Sequence, residues 1–240
     1  MRFLLSCLIL CLFAIASYGQ IMFGMDTVPA SSFTKWQTST PKAYEGVYHF
    51  GESEWESDFV VVVSNGVVTA QIRSGGWAKN PERWKKFYQT LTNVKIIGNR
   101  FYSKETEGDF VTFFYEGEKN YGLRVKKLWS VSATKQQVEA GTRTGPLTNY
   151  FGGSYPQASY KILKPAELAR YSKEQLALMR NEVFARYGYA FSKNEKMRLY
   201  FKKQEWYQVE KVSLDLVLTP IEKKNIVTLQ AAEAQAALPK

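Results

Sequence analysis

The dipeptide Asn65-Gly66 stands between two β-rich runs, DFVVVV (58–63) and VVTAQI (67–72). It constrains the fold more than any other feature. A two-residue type I′ turn needs positive φ at both central positions, and Asn-Gly tolerates this best. The chain is therefore expected to double back there as a β-hairpin. The same device recurs at Gly98-Asn99 within NVKIIGNRFYS (93–103). It recurs again in DFVTFFYEGEKNYGLRV (109–125), where residues 116–120 are expected to form a longer loop. Together with the alternating YEGVYHF (44–50), these hairpins predict an antiparallel β meander over 44–128, a small barrel or sandwich. Aromatic residues make up 15% of the chain, which suits strands. One segment reads differently: in PERWKKFYQTL (81–91), Trp84, Phe87 and Leu91 fall at i, i+3, i+7, which predicts a short helix.

The flanks of this meander carry other signals. Residues 1–19 contain one early charge, Arg2, an apolar run, and small residues at Ala14 and Ala16, the layout of a secretory signal peptide. The run is too short to span a bilayer. Cys7 and Cys11, the only cysteines, both lie in it. Bulky Leu10 before Cys11, and the short spacing between Arg2 and Cys7, argue against lipid anchoring. Beyond the leader there is no thiol for a disulfide, a nucleophile or a metal site. Residues 20–43 are polar and aperiodic and read as a flexible lead-in. Residues 129–154, with Gly141, Gly145, Gly152 and Gly153, read as a linker.

Residues 155–236 have helical spacing. Ser172 and Gln175 make a capping box, Leu176, Met179, Val183 and Tyr187 share a face, and Gly188 supplies the positive-φ stop. A second helix is expected over 194–202. A third opens at TPIE, with Thr219 as cap and Glu222 closing the box, and runs to about Ala234. The fold class expected is thus α+β, an antiparallel meander followed by a three-helix module.

The stretch MRNEVFARYGYAF (179–191) concentrates charge on the first of these helices. Arg180, Asn181, Glu182, Val183, Phe184, Ala185, Arg186 and Gly188 match, position by position, the core helix motif of the YARHG domain family. Phe201, the Trp206-Tyr207 pair and LTPIEKKNI (218–226) resemble the family's later blocks, and SYPQASYKILKPAEL (154–168) resembles its opening. The resemblance covers about a third of the chain and implies an exported bacterial module with no assigned activity. Where the family carries histidine, this chain has Tyr187, so no proton-transfer or metal role can rest on that position.

Read for chemistry, the motif has two interpretations. In the structural one, Glu182 and Arg186 form an i, i+4 ion pair, and Arg180 and Asn181 reach carbonyls of the following loop or of the Trp206-Tyr207 turn. In the ligand reading, Arg180 and Arg186 hold an anionic group over a stacking floor of Trp206 and Tyr207. The structural reading is favoured. Elsewhere, Glu52, Glu54, Glu56 and Asp58 alternate as in an acidic edge strand, though paired carboxylates also serve glycoside hydrolysis. His49 is the single histidine, and no nucleophile elbow, phosphate loop or metal-ligand spacing accompanies it. No cofactor or metal is expected, and no catalytic residue is assigned.

The net charge of +10 attracts polyanions. An exported address favours an anionic cell-envelope component or a saccharide over nucleic acid. The expectation is an envelope or extracellular protein of non-catalytic, binding type, with the helical module as a structural or docking element. The alternative is a hydrolase, or hydrolase accessory, with its active site in the β domain and the helices for targeting.

Overall fold

The computed structural model describes residues 20–23, 26–51, 56–78, 83–115, 117–125 and 138–237. The leader reading for 1–19, together with Glu52 and Glu54, lies outside the described residues. The fold is α+β. Nine antiparallel strands follow the spatial order β7 (Trp84–Thr90), β6 (Val67–Trp77), β5 (Ser57–Ser64), β4 (Gly46–Phe50), β12 (Val138–Gly145), β11 (Glu118–Val125), β10 (Glu107–Tyr115), β9 (Arg100–Tyr102), β8 (Lys95–Ile97). β1 (Gln20–Phe23) adds to β12 in parallel and to β2 (Asp26–Pro29) antiparallel, and β3 (Thr34–Lys35) adds to β10.

The sheet curls into a half-barrel because alternate residues of most strands are large and apolar. Tyr48, Phe50, Phe59, Val61, Phe101, Phe110 and Leu123 fill its concave side. Phe59 of β5 meets Phe101 of β9 edge-on with centroids 5.0 Å apart, so opposite limbs of the curl touch across the core. The other side of β4 and β5 carries Val47, Val60 and Val62, which pack on Leu147, Ile162 and Ile221. Helices cover that second face.

The Asn65-Gly66 turn has φ of 47° and 76°, as its two-residue geometry requires. Other expectations need correction. Residues 84–90 form strand β7, paired with β6 at seven positions, rather than a helix. Its aromatic and charged residues alternate as well as they spiral, and pairing with a neighbour decided the outcome. β10 and β11 pair as far as Tyr115↔Glu118, so 118–120 belong to a strand and not to a long loop. The lead-in is also structured: Trp36 is buried against Tyr44 and Phe110, and Phe33 meets Phe113 at 5.0 Å. Polar spacing hid these aromatic anchors.

The segment read as a linker contains β12, which lies between β4 and β11. Its glycines misled. A Cβ at Gly141 would stand 2.3 Å from the Phe50 ring, so this glycine makes room for core packing instead of marking a loop.

Among the described residues, six helices follow where three were expected: α1 (Gln157–Tyr160), α2 (Pro165–Leu168), α3 (Lys173–Arg186), α4 (Glu195–Phe201), α5 (Leu214–Val217) and α6 (Pro220–Gln235). The additional three are single turns of four residues, too short for periodicity to reveal. α3 and α6 form the spine of the module, with Leu176, Met179, Val183 and Leu229 between them.

Candidate functional site

Two polar constellations stand out, one inside the helical module and one on the sheet. The first is the α3 motif. Ser172 caps α3 by accepting from Gln175 N, and Gly188 ends it with φ +80°. Between them, Glu182 and Arg186 form an ion pair at 3.2 Å with side-chain exposures of 0% and 6%. The expected i, i+4 pair is present, and it is buried. Glu182 also accepts from Ser154 N and Tyr155 N, both at 2.8 Å. Arg186 donates to Gly152 O, Ser159 Oγ and Tyr155 O at 2.8–3.0 Å. The two side chains thus fasten residues 152–159 to α3. Burial raises the Glu182 pKa and lowers that of Arg186; each partner's charge and the hydrogen bonds oppose this.

Ser159 Oγ passes the chain of bonds to Glu222, donating to Oε1 at 2.6 Å. Glu222 is wholly buried, and burial raises its pKa. Its Oε2 accepts from Tyr187 OH at 2.7 Å and from Thr219 N at 2.9 Å, where Thr219 caps α6. Tyr187 OH accepts in turn from Gln71 Nε2 of β6 at 3.0 Å. Gln71 also donates to Val217 O at 2.7 Å, and Tyr88 OH donates to Arg186 O at 2.9 Å. Tyr187, in the place of the family's histidine, is therefore a joint between the helices and the sheet.

The remaining motif residues do not converge on one hollow. Arg180 turns to α6, making a bidentate pair with Glu233 at 2.6 and 3.1 Å, not a bond to the following loop. Asn181 donates to Ala177 O of its own helix at 2.7 Å. Trp206 lies against Gly152, where a Cβ would come within 2.7 Å of the indole. Tyr207 meets Trp206 at 77° with centroids 6.4 Å apart, and its hydroxyl donates to Tyr189 O. The two rings stand nearly perpendicular, so they make no common stacking floor; both pack on the Phe191–Phe201 cluster instead.

The second constellation lies on the helix-facing side of the sheet. Register places His49, Asp58, Arg73 and Tyr88 side by side on β4, β5, β6 and β7. Asp58 takes a hydrogen bond from Arg73 Nη2, and its other oxygen lies 2.9 Å from His49 Nδ1. Arg73 also stacks over Tyr150, 4.3 Å from the ring centre. Burial works to raise the Asp58 pKa, but the His49 bond and the Arg73 charge outweigh it and hold the carboxyl low. The hydrogen bond to Asp58 raises the His49 pKa. His49, Asp58 and Arg73 floor a cleft of about 370 Å³ lined also by Glu56, Ser57, Ser74, Gly75, Trp84 and Lys86, while Tyr88 and Tyr150 line the hollow beside it. A smaller hollow of about 90 Å³ adjoins it, sharing Arg73 and Lys86 and reaching Tyr187, Glu222, Arg186 and Trp206.

Sequence reasoning noticed His49, Glu56 and Asp58 but not Arg73, Trp84, Lys86 or Tyr150. The alternation Arg73…Gly75 on β6 and Trp84…Lys86…Tyr88 on β7 was the available signal, and the helical reading of that segment concealed it. Among the described residues there is no cluster that could hold a metal ion, and no helix is long and apolar enough to cross a membrane.

No curated protein and no solved structure matches the chain. Residues 153–234, from the glycine beside Glu182 into the last turn of α6, match the YARHG domain.

Proposed function

We propose that this chain is an exported bacterial protein of non-catalytic binding type. Its ligand-facing surface is the sheet cleft, and the YARHG module is the buttress that shapes one wall. The observation that carries this reading is the contrast in commitment. Arg180, Glu182 and Arg186 spend their donors and acceptors inside the module, whereas the cleft keeps half-buried charged and aromatic side chains open to solvent. The apolar leader at 1–19 supports export, and the net charge supports an anionic envelope partner.

The hydrolase alternative draws on Glu56 and Asp58 in the cleft. Carboxylate-pair chemistry needs one member held protonated near neutral pH. Asp58 is instead held ionised by Arg73 and His49, while the raised carboxyls, Glu182 and Glu222, are wholly buried and bonded within the module. This favours binding over catalysis.

Co-sedimentation of the full chain with bacterial envelope fractions tests the proposal. Retention should fall at least tenfold on Trp84→Ala and stay unchanged on Glu233→Gln, which loosens only the Arg180 pair. Equal retention of wild type and Trp84→Ala, or consumption of an envelope polymer by the wild-type chain, would overturn it.

A further inference from the structure

We propose that the cleft takes an acidic saccharide, with its carboxylate on Lys86 and a sugar ring against the Trp84 indole. This deepens the binding reading above and rests on it.

The described carboxylates of the cleft pair with groups other than its lysine. Asp58 is bound to both Arg73 and His49, and Glu56 lies 3.8 Å from His49 Nε2. Lys86 is half-buried, and among the described residues its ammonium has neither a hydrogen bond nor an ion pair. A bound anion would give Lys86 a partner, and a carboxylate is one anion that a single ammonium holds as a point charge. The direction of the Lys86 pKa agrees: burial, then the Arg73 charge, lowers it, and the Glu210 charge, which works the other way, does not offset them.

A second observation, independent of charge, concerns shape. The Trp84 indole rests on Gly75 so closely that a Cβ there would stand 2.1 Å from its ring atoms. Gly75 is what lets the indole lie flat on the sheet, braced edge-on by Trp77 at 5.5 Å. A flat aromatic panel flanked by imidazole, carboxylate and ammonium groups matches a polyhydroxylated ring, whose faces are apolar and whose rim is polar. A peptide would be read differently, by backbone pairing along a strand edge. Here the recognising groups are side chains on the face of the sheet.

Intrinsic tryptophan fluorescence of the full chain can follow titration with three probes: digalacturonic acid, its dimethyl ester, and acetate. The acid should bind at least tenfold more tightly than the ester, and acetate should not saturate. Lys86→Gln should erase the difference between acid and ester. Equal affinity of wild type for acid and ester, no binding of either sugar, or a difference that survives Lys86→Gln would overturn the acidic-saccharide inference. If envelope retention still depends on Trp84 in such a case, the binding reading stands and only the ligand class falls. If retention ignores Trp84, both fall.

Discussion

The α3 network and the sheet cleft use the same chemical groups to opposite ends. Each pairs an arginine with a carboxylate beside an aromatic ring: Arg186 with Glu182 near Phe151, and Arg73 with Asp58 on Tyr150. In the module the pair is sealed, and backbone groups of residues 152–155 take up the remaining capacity. On the sheet the pair is half-exposed and stands beside an ammonium without a described partner. A charged motif is thus no guide to a ligand until its hydrogen bonds have been followed to their ends. Full internal satisfaction makes a fastening, and partial satisfaction at a cleft makes a site.

The largest effect expected from breaking this contrast is on the sealed side. Arg186→Met leaves Glu182 buried without its counter-charge and strips donors from Ser159 and two carbonyls. The loss should be about 3–5 kcal/mol of folding stability. Lys86→Gln on the sheet should change stability by no more than about 0.5 kcal/mol. Chemical denaturation of both variants makes the test, and comparable losses would erase the distinction between fastening and site.

A middle-sized effect is expected at the helix stop. Gly188→Val forces a β-branched residue to φ +80°, with its Cβ near 2.6 Å from Gln208 O. A cost of about 1–3 kcal/mol follows from the backbone conformation alone. Thermal melting checks it, and an unchanged midpoint would mean that the turn after α3 relaxes freely.

The smallest effect sharpens the cleft side. The pKa of His49 is raised in the folded chain, so folding favours the protonated ring. Its contribution is complete below the ordinary value of about 6.5 and is lost as pH rises through the raised value. Between about pH 6 and 8 the wild-type melting midpoint should therefore decline relative to His49→Gln. Parallel pH profiles for the two proteins would remove His49 from the charge network of the cleft.

Legibility in the sequence divided along the same line. The helical module was readable because its signals are local: Ser172–Gln175, Thr219–Glu222 and Gly188 each announce an end by spacing alone. The hairpin at 65–66 was readable for the same reason. The cleft was not, because Asp58, Arg73 and Tyr88 meet only through strand register, which no short window contains. Arg180 was misdirected likewise, since its partner Glu233 lies in a helix far along the chain. Gly141 and Gly75 were the hardest residues to read. Composition takes glycine for a bend, whereas here each leaves a space that a ring fills.

The position of β12 has a consequence for how the chain is made. It is the last strand in sequence yet the middle one in space, joining β4–β7 on one side to β8–β11 on the other. Until residue 145 has emerged, the earlier strands amount to two separate ribbons with a common core and no seam. Closure of that seam is a long-range event, slow by the usual dependence of folding rate on contact separation. The helices follow β12 in sequence, so sheet and module should assemble as a single late step rather than as two domains in turn, leaving the nascent chain open until nearly all of it has been made.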